Sequence, residues 1–319
     1  MIIVRVPFRL PLGGGGTDLP AYCKEFGGRL ITASINKFMY ISINEPATSD
    51  KIKLYYRYSE IVGDASEIEH NIIRESLKLH NINRPIEIGS MADIEAGTGM
   101  GSSSAFTVGL LAGLNTIERK FISPIELAEE ACKVEIDMVG KPIGKQDQYA
   151  VALGGVNQLN ILPTGQVFVN PMRLKQETIF ELENRLLMFY TGITRNATEV
   201  LSDPMPTEDM HKIKNIGVNI ELKLHEGNIT RFGNLLHDHW TVKRSISKMT
   251  NGNINEWYET ALLNGALGGK IMGAGGGGFL LLCAKEGRRK ALKSAMEDQG
   301  LRYMDFRFEF EGVKVIANY

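Results

Sequence analysis

Cysteine, long apolar runs and a surplus of charge are what this sequence has little of, and each shortage excludes a class of protein. There are three cysteines, Cys23, Cys132 and Cys283, far apart and odd in number. Neither a disulfide framework nor a cysteine metal site follows from that spacing, and their apolar or small neighbours suit buried free thiols. The longest apolar run is Phe279–Ala284, far below the roughly 20 residues of a membrane span. The opening Met1–Val6 is broken by Pro7 too early for a signal peptide. The chain is therefore read as cytoplasmic, without a membrane partner. Lys plus Arg number 36 against 37 for Asp plus Glu, a net charge of −1, and there is no basic–aromatic stripe, so nucleic acid is not an expected partner. An anionic ligand must be held by local groups. His237 and His239, two apart, would face different sides of a helix and make a poor metal pair. All six histidines read as structural or solvent-facing. Repeats and low-complexity tracts are absent too.

What is present fits a globular protein with a full core: 319 residues, 43% hydrophobic and 23% charged, enough for two domains. Glycine is in excess at 34 residues, against an average of about 7%, and the excess is clustered. The central cluster lies in Glu95–Val108. There Gly97, Gly99 and Gly101 can take positive φ and admit a ligand to the main chain. Ser102, Ser103 and Ser104 supply hydroxyls and N-cap chemistry. From Phe106 the apolar residues Leu110, Leu114 and Ile117 fall at helical spacing. A helix N-terminus opening out of such a loop suits a phosphate, although a serine-capped turn has the same look.

The other two clusters flank it. Gly13, Gly14, Gly15 and Gly16 lead into Thr17 and Asp18, acceptors for sugar or alcohol hydroxyls. A flexible loop is the plain alternative, but Arg9 and Asp18 bracketing the glycines favour a substrate site. Near the end, Gly268–Gly278 abuts the apolar strand Phe279–Cys283. Elsewhere, alternation predicts strands over 2–6, 28–44, 52–58 (which could pair with 28–44), 85–91, 185–190, 306–310 and 313–316. Helical spacing predicts helices over 66–79, 124–138 behind the Ser123–Pro124 start, 211–225, 229–249, 254–267 and 288–299. A short helix should begin at Lys145-Gln146-Asp147-Gln148. Asp147 there is either an ordinary cap residue or a carboxylate held beside a cation, able to accept a hydroxyl proton. The turn-rich 161–171 marks a boundary, giving domains 1–165 and 166–319 and an α+β class.

Three glycine clusters in this order match something specific. Pro7–Asp18, Gly97–Ala105 and Lys270–Gly278 resemble the three signatures of the GHMP kinases (galactokinase, homoserine kinase, mevalonate kinase and phosphomevalonate kinase), and the resemblance covers nearly the whole chain. It implies an N-terminal domain like ribosomal protein S5 domain 2, a ferredoxin-like C-terminal domain, and ATP and Mg²⁺ in the cleft between them. The four-glycine Gly-Thr-Asp form, with Gly144–Tyr149, looks most like the D-glycero-D-manno-heptose 7-phosphate kinases. Fucokinase-type domains share part of the pattern, whereas galactokinases carry other residues where Gly13–Gly16 stand. The implied reaction is phosphorylation of the anomeric hydroxyl of a heptose 7-phosphate to the 1,7-bisphosphate.

Carried over by position, the resemblance makes Asp147 the catalytic aspartate and Arg9 the cation near the reacting hydroxyl. Gly97 to Ser104 would hold the triphosphate, with Ser104 and Glu135 on magnesium. Gly14, Gly15, Gly16, Thr17, Asp18, Lys145, Gln148, Gly275 and Gly276 would face the sugar. Arg195, in Thr191-Gly192-Ile193-Thr194-Arg195 at the end of a strand, is the first candidate for reading the sugar's own phosphate, and Lys145 the other. The partner is a small sugar phosphate, and the chain a monomer or homodimer. The rivals are another sugar kinase of fucokinase type, a non-catalytic sugar sensor and an RNA-binding S5-like module.

Overall fold

The computed structural model describes residues 1–194, 205–245 and 249–319. Its first strand, β1 (Ile2–Gly13), does not stop at Pro7 as expected. Beyond Arg5 the strand pairs on one side only, and its register with β2 shifts at Pro7/Phe8 and at Pro11/Gly13. Proline, which cannot donate to a ladder, is tolerated at such an edge or bulge.

The spine is β2 (Gly28–Asn44), which runs antiparallel to β1. Its first half pairs with β6 (Val156–Ile161) and its second with β5 (Glu87–Ala92). The expected strand over 52–58 is a hairpin, β3 (Ile52–Tyr55) and β4 (Ser59–Val62), and β3 joins β5 in parallel instead of joining β2. Two strands from beyond the expected 165/166 boundary enter the same eight-stranded sheet. They are β7 (Val167–Pro171), folding back on β6, and β12 (Lys314–Asn318), which pairs with Ile2–Arg5 of β1. A strand edge left bare there would expose unpaired backbone groups. The stretch 306–310 makes a single bridge, Ile35 with Phe308.

The second sheet contains β8 (Leu186–Tyr190), β9 (Ala266–Ile271), β10 (Phe279–Ala284) and β11 (Arg302–Met304), antiparallel in the spatial order β11-β8-β10-β9. This is the ferredoxin-like arrangement. Helices Thr207–His225, Ile229–Arg244 and Gly252–Leu263 lie between β8 and β9 in the chain, and Arg289–Asp298 lies between β10 and β11. The helix expected over 254–267 ends at Leu263 because Ala266–Ile271 is strand β9. A helix over Gln176–Arg185 was not anticipated.

Among the helices of the first domain, α1 is Pro20–Phe26, α2 Asn71–Leu79 and α3 Ser102–Ile117. Helix α3 is buried from Ser104 through Asn115, not only along one stripe. It is roofed by other helices as well as seated on the sheet. The helix expected over 124–138 divides into α4 (Pro124–Cys132), opened by a Ser123/Glu126 capping box, and a π-helical turn, Lys133–Met138. After it comes α5 (Gln146–Leu153). No described helix is long and apolar enough to cross a membrane.

His80, closing α2, clips these helices together through Glu118 at 2.7 Å and Glu130 at 3.3 Å. Burial alone would lower its pKa, but the Glu130 and Glu118 carboxylates beside it outweigh that and raise it above the ordinary 6.5. A raised folded-state pKa gives stability that is complete below 6.5 and lost as pH climbs through the folded value. The melting-temperature gap between wild type and His80→Leu should therefore be wider at acid than at alkaline pH. A gap that does not change with pH would remove the charged clip from the account.

Candidate active site

Residues from both domains line a cleft of about 1150 Å³. At its centre β1 and the start of α5 meet. Arg9, 3% exposed, donates from Nε to Asp147 Oδ1 at 2.7 Å and from Nη2 to Oδ2 at 2.6 Å. Its Nη1 donates to the Gly99 carbonyl at 2.7 Å. Asp147 stands in the first turn of α5 yet makes no capping hydrogen bond. Of its two expected roles, the structure shows the carboxylate beside a cation. The fork-to-carboxylate geometry is the directional, charge-assisted kind, and it ties the first glycine region to the second.

The second region opens directly onto the cleft through Gly97, Gly99, Gly101 and Ser102–Ser104. Gly101 is the N-cap of α3 in the left-handed region (φ 81°), and no side chain caps that helix. Its first-turn N–H groups therefore have no intrahelical acceptor and no side-chain cap, and they carry the positive end of the dipole. The third glycine loop braces the second from behind: a Cβ on Gly278 would lie 2.1 Å from the Thr98 carbonyl oxygen. Nothing larger than glycine permits that backbone-to-backbone contact.

The π-helical turn carries Glu135 to the serines. The carboxylate is fully buried. It accepts from Ser103 Oγ at 2.5 Å, Ser104 Oγ at 2.7 Å and Gln148 Nε2 at 2.7 Å. Lys141 Nζ lies 2.9 Å from Glu135 and 2.5 Å from Ser103 Oγ. Ser104 and Glu135, expected on magnesium, are thus in contact. Their donors are oxygens only, which suits a hard cation completed by phosphate oxygens.

From the first glycine region, Gly15, Gly16 and Asp18 line the cleft. Asp18 accepts from the Gly16 amide at 3.3 Å and from the Gln146 amide and side chain at 3.2 Å each. Burial, and then the Asp147 charge, push its carboxyl pKa up.

Other expected site residues do not face the cleft. Thr17 is fully buried, and its hydroxyl donates to the Gly14 carbonyl and accepts from the Arg29 amide. A Cβ on Gly14 would fall 2.2 Å from the Arg29 oxygen. Both serve the shape of the loop. Lys145 turns away to Glu129 and the Gly165 carbonyl, with Nζ distances of 2.8 and 2.9 Å. Gln148 reaches the site only through Glu135. Gly275 and Gly276 pack on Met249 instead of lining the cleft. Arg195 lies outside the described residues.

Sequence reasoning passed over several residues that do line it: Lys141, Lys243, Lys270, Tyr56 and His70. His70 has the structural role expected of it, since its ring nitrogen accepts from the Ile73 amide and caps α2, and it also lines the cleft. With Tyr56 and Phe106 it forms an aromatic end of the cleft, its ring centroid 4.7 and 5.1 Å from theirs. Lys270 was within reach of a sequence argument, because it opens the third glycine signature.

Comparison with known proteins agrees with this geometry. The model for the GHMP kinases N terminal domain matches residues 67–155, and that for the GHMP kinases C terminal matches 220–301. A D-glycero-alpha-D-manno-heptose 7-phosphate kinase of Campylobacter jejuni is 28% identical, over 98% of both chains. The crystal structure of a D-glycero-D-manno-heptose 1-phosphate kinase from Bacteroides thetaiotaomicron superposes with a TM-score of 0.84 at 25% identity, covering 100% of both chains. The L-fucokinase/L-fucose-1-P guanylyltransferase of Bacteroides fragilis is 24% identical over 98% of this chain but only 38% of its own length.

Proposed function

We propose, of a chain that belongs to the GHMP kinases and is an ATP-dependent sugar kinase, that its acceptor is D-glycero-D-manno-heptose 7-phosphate and its product the 1,7-bisphosphate. The observation that carries this is the Arg9–Asp147 clamp, set between a loop suited to hydroxyls and a loop suited to phosphates. The two heptose kinases named above support a phosphorylated heptose. Their names differ over which position already carries the phosphate.

In this reading the purine lies against the His70, Tyr56 and Phe106 rings, and the triphosphate receives the first-turn amides of α3. Asp18 and the glycine loop before it hold the sugar hydroxyls. Asp147 accepts the hydrogen of the anomeric hydroxyl and sets its oxygen in line for transfer. Arg9, with three of its five N–H donors engaged, fixes the carboxylate and the Gly99 turn in one frame. Ser104 and Glu135 are the residues that would hold Mg²⁺, whose contribution is to neutralise charge on the phosphate oxygens. Phosphoryl transfer asks mostly for positioning and charge neutralisation, and these are the parts the cleft contains. Such an enzyme would work in the cytoplasm, where ATP is made available.

The test is ATP consumption with heptose, mannose and fucose, each with and without a terminal phosphate, followed by NMR location of the new phosphate. The heptose 7-phosphate should be the preferred acceptor, phosphorylated at the anomeric carbon. Preference for fucose would favour the fucokinase-type reading, and sugar binding without turnover would favour a sensor.

A further inference from the structure

Lys270, one residue before the end of β9, stands on the second-domain wall of the cleft with 2% of its surface exposed. Among the described residues its ammonium has no hydrogen-bond or carboxylate partner. The charges that act on it are Lys243 and Arg9, and together with burial they lower its pKa well below the ordinary lysine value. Lys243, near the end of helix Ile229–Arg244, is 8% exposed and lines the same wall. Behind them His239 is fully buried with neither ring nitrogen hydrogen-bonded. Burial, then Lys270 and Lys243, lower its pKa well below the usual histidine value, so the ring is neutral and offers the lysines no counter-charge.

A buried cation without a partner is costly unless something of opposite charge meets it. Anions on the nucleotide side already have donors: the amides of 97–104 and the Lys141 ammonium. Lys270 and Lys243 come from β9 and helix Ile229–Arg244, outside the 97–104 loop whose amides form that cradle. We propose that Lys270 and Lys243 form a phosphate subsite on the second-domain wall, which holds the phosphate monoester that the acceptor sugar already carries. This rests on the reading of the acceptor as a sugar phosphate. It gives the recognition of that phosphate, expected at Lys145 or Arg195, to a lysine pair in the cleft. Asp18 and Asp147 leave no cationic site of their own for it, since Arg9 is engaged by Asp147.

The decisive comparison is Lys270→Met against Lys270→Arg, with a heptose and its terminal phosphate ester as acceptors and ATP affinity measured separately. Losing a charge-assisted contact should lower the preference for the phosphorylated sugar, as a ratio of kcat/KM values, by about tenfold or more. Lys270→Arg should restore most of it, with ATP affinity held within about twofold. Equal losses for both sugars, or weakened ATP binding, would overturn the proposal by placing Lys270 on the transferred phosphoryl group. Inorganic phosphate, without sugar, separates this idea from the identity of the acceptor. With the nucleotide site filled by a non-hydrolysable ATP analogue, it should raise the melting temperature of the wild type and fail to do so in Lys270→Met. If the wild type used no phosphorylated heptose yet showed that phosphate effect, the acceptor reading would fall and the subsite stand. If phosphate stabilised both proteins equally, the subsite would fall. Should Lys270→Met not fold, Lys243→Met carries the same comparisons.

Discussion

Asp147→Asn should cut turnover by about 10²–10⁴-fold, close to 3–5 kcal/mol of transition-state stabilisation, while ATP affinity stays near wild type. Asparagine keeps the shape but loses the charge, and one of its two polar atoms is a donor. Arg9 Nε and Nη2 now donate to the two carboxylate oxygens, so whichever way the amide turns, one guanidinium N–H faces another donor. Because Arg9 is 3% exposed, that mismatch also costs folding stability, on the order of 1–3 kcal/mol. Activity must therefore be measured well below the variant's melting temperature and beside a direct ATP-binding measurement. Turnover close to wild type would remove Asp147 from the mechanism. Loss of ATP binding in parallel would instead make the clamp a support for the phosphate loop, acting through the Gly99 carbonyl.

Gly101→Val should damage both halves of the reaction. Position 101 sits at φ 81°, where a β-branched residue costs roughly 1–2 kcal/mol in backbone strain alone. An added Cβ would lie 3.2 Å from Arg9 Cγ and 3.5 Å from Asp147 Oδ2, and the valine methyls reach further. ATP affinity should fall by roughly thirtyfold, about 2 kcal/mol, because the first-turn amides of α3 are displaced. Turnover at saturating ATP should fall as well, because the clamp is pushed. Sugar binding, measured without nucleotide, should be the least affected property, since Gly15, Gly16 and Asp18 lie on another loop. Unchanged ATP affinity with collapsed sugar affinity would reverse the roles of the two loops.

Much of this site is legible in the residues alone. Glycines at 97, 99 and 101 before three serines mark a loop turning into a helix, because only glycine tolerates positive φ freely and only the residues at a helix start leave amides unpaired. Arg9 and Asp18 stand out beside a run of glycines and Asp147 between two amides and a lysine, and the structure brings Arg9 to Asp147. These signals are local, carried by a residue's own backbone preference or by its nearest neighbours in the chain.

The rest turns on partners distant in sequence. Lys145, close to Asp147 in the chain, faces Glu129 and the Gly165 carbonyl, while Lys141 reaches the serines. Nothing nearby in the chain says which lysine turns inward. Glu135 meets Ser104 through a π-helical turn, and the extra residue in that turn hides its facing from any count made at helical spacing. Lys270 reads as part of a glycine signature until Lys243 and Arg9 are seen around it, whereas Gly275 and Gly276 prove to pack on Met249. The first sheet likewise recruits 167–171 and 314–318 because an unpaired strand edge takes whichever segment the folded chain brings alongside. Chain-local chemistry thus marks the loops proposed for phosphate and sugar and the side chains that are candidates for the reaction. Which charges reach the cleft is decided by packing, because a long charged side chain goes to the nearest partner in space, and that partner is set by the whole fold.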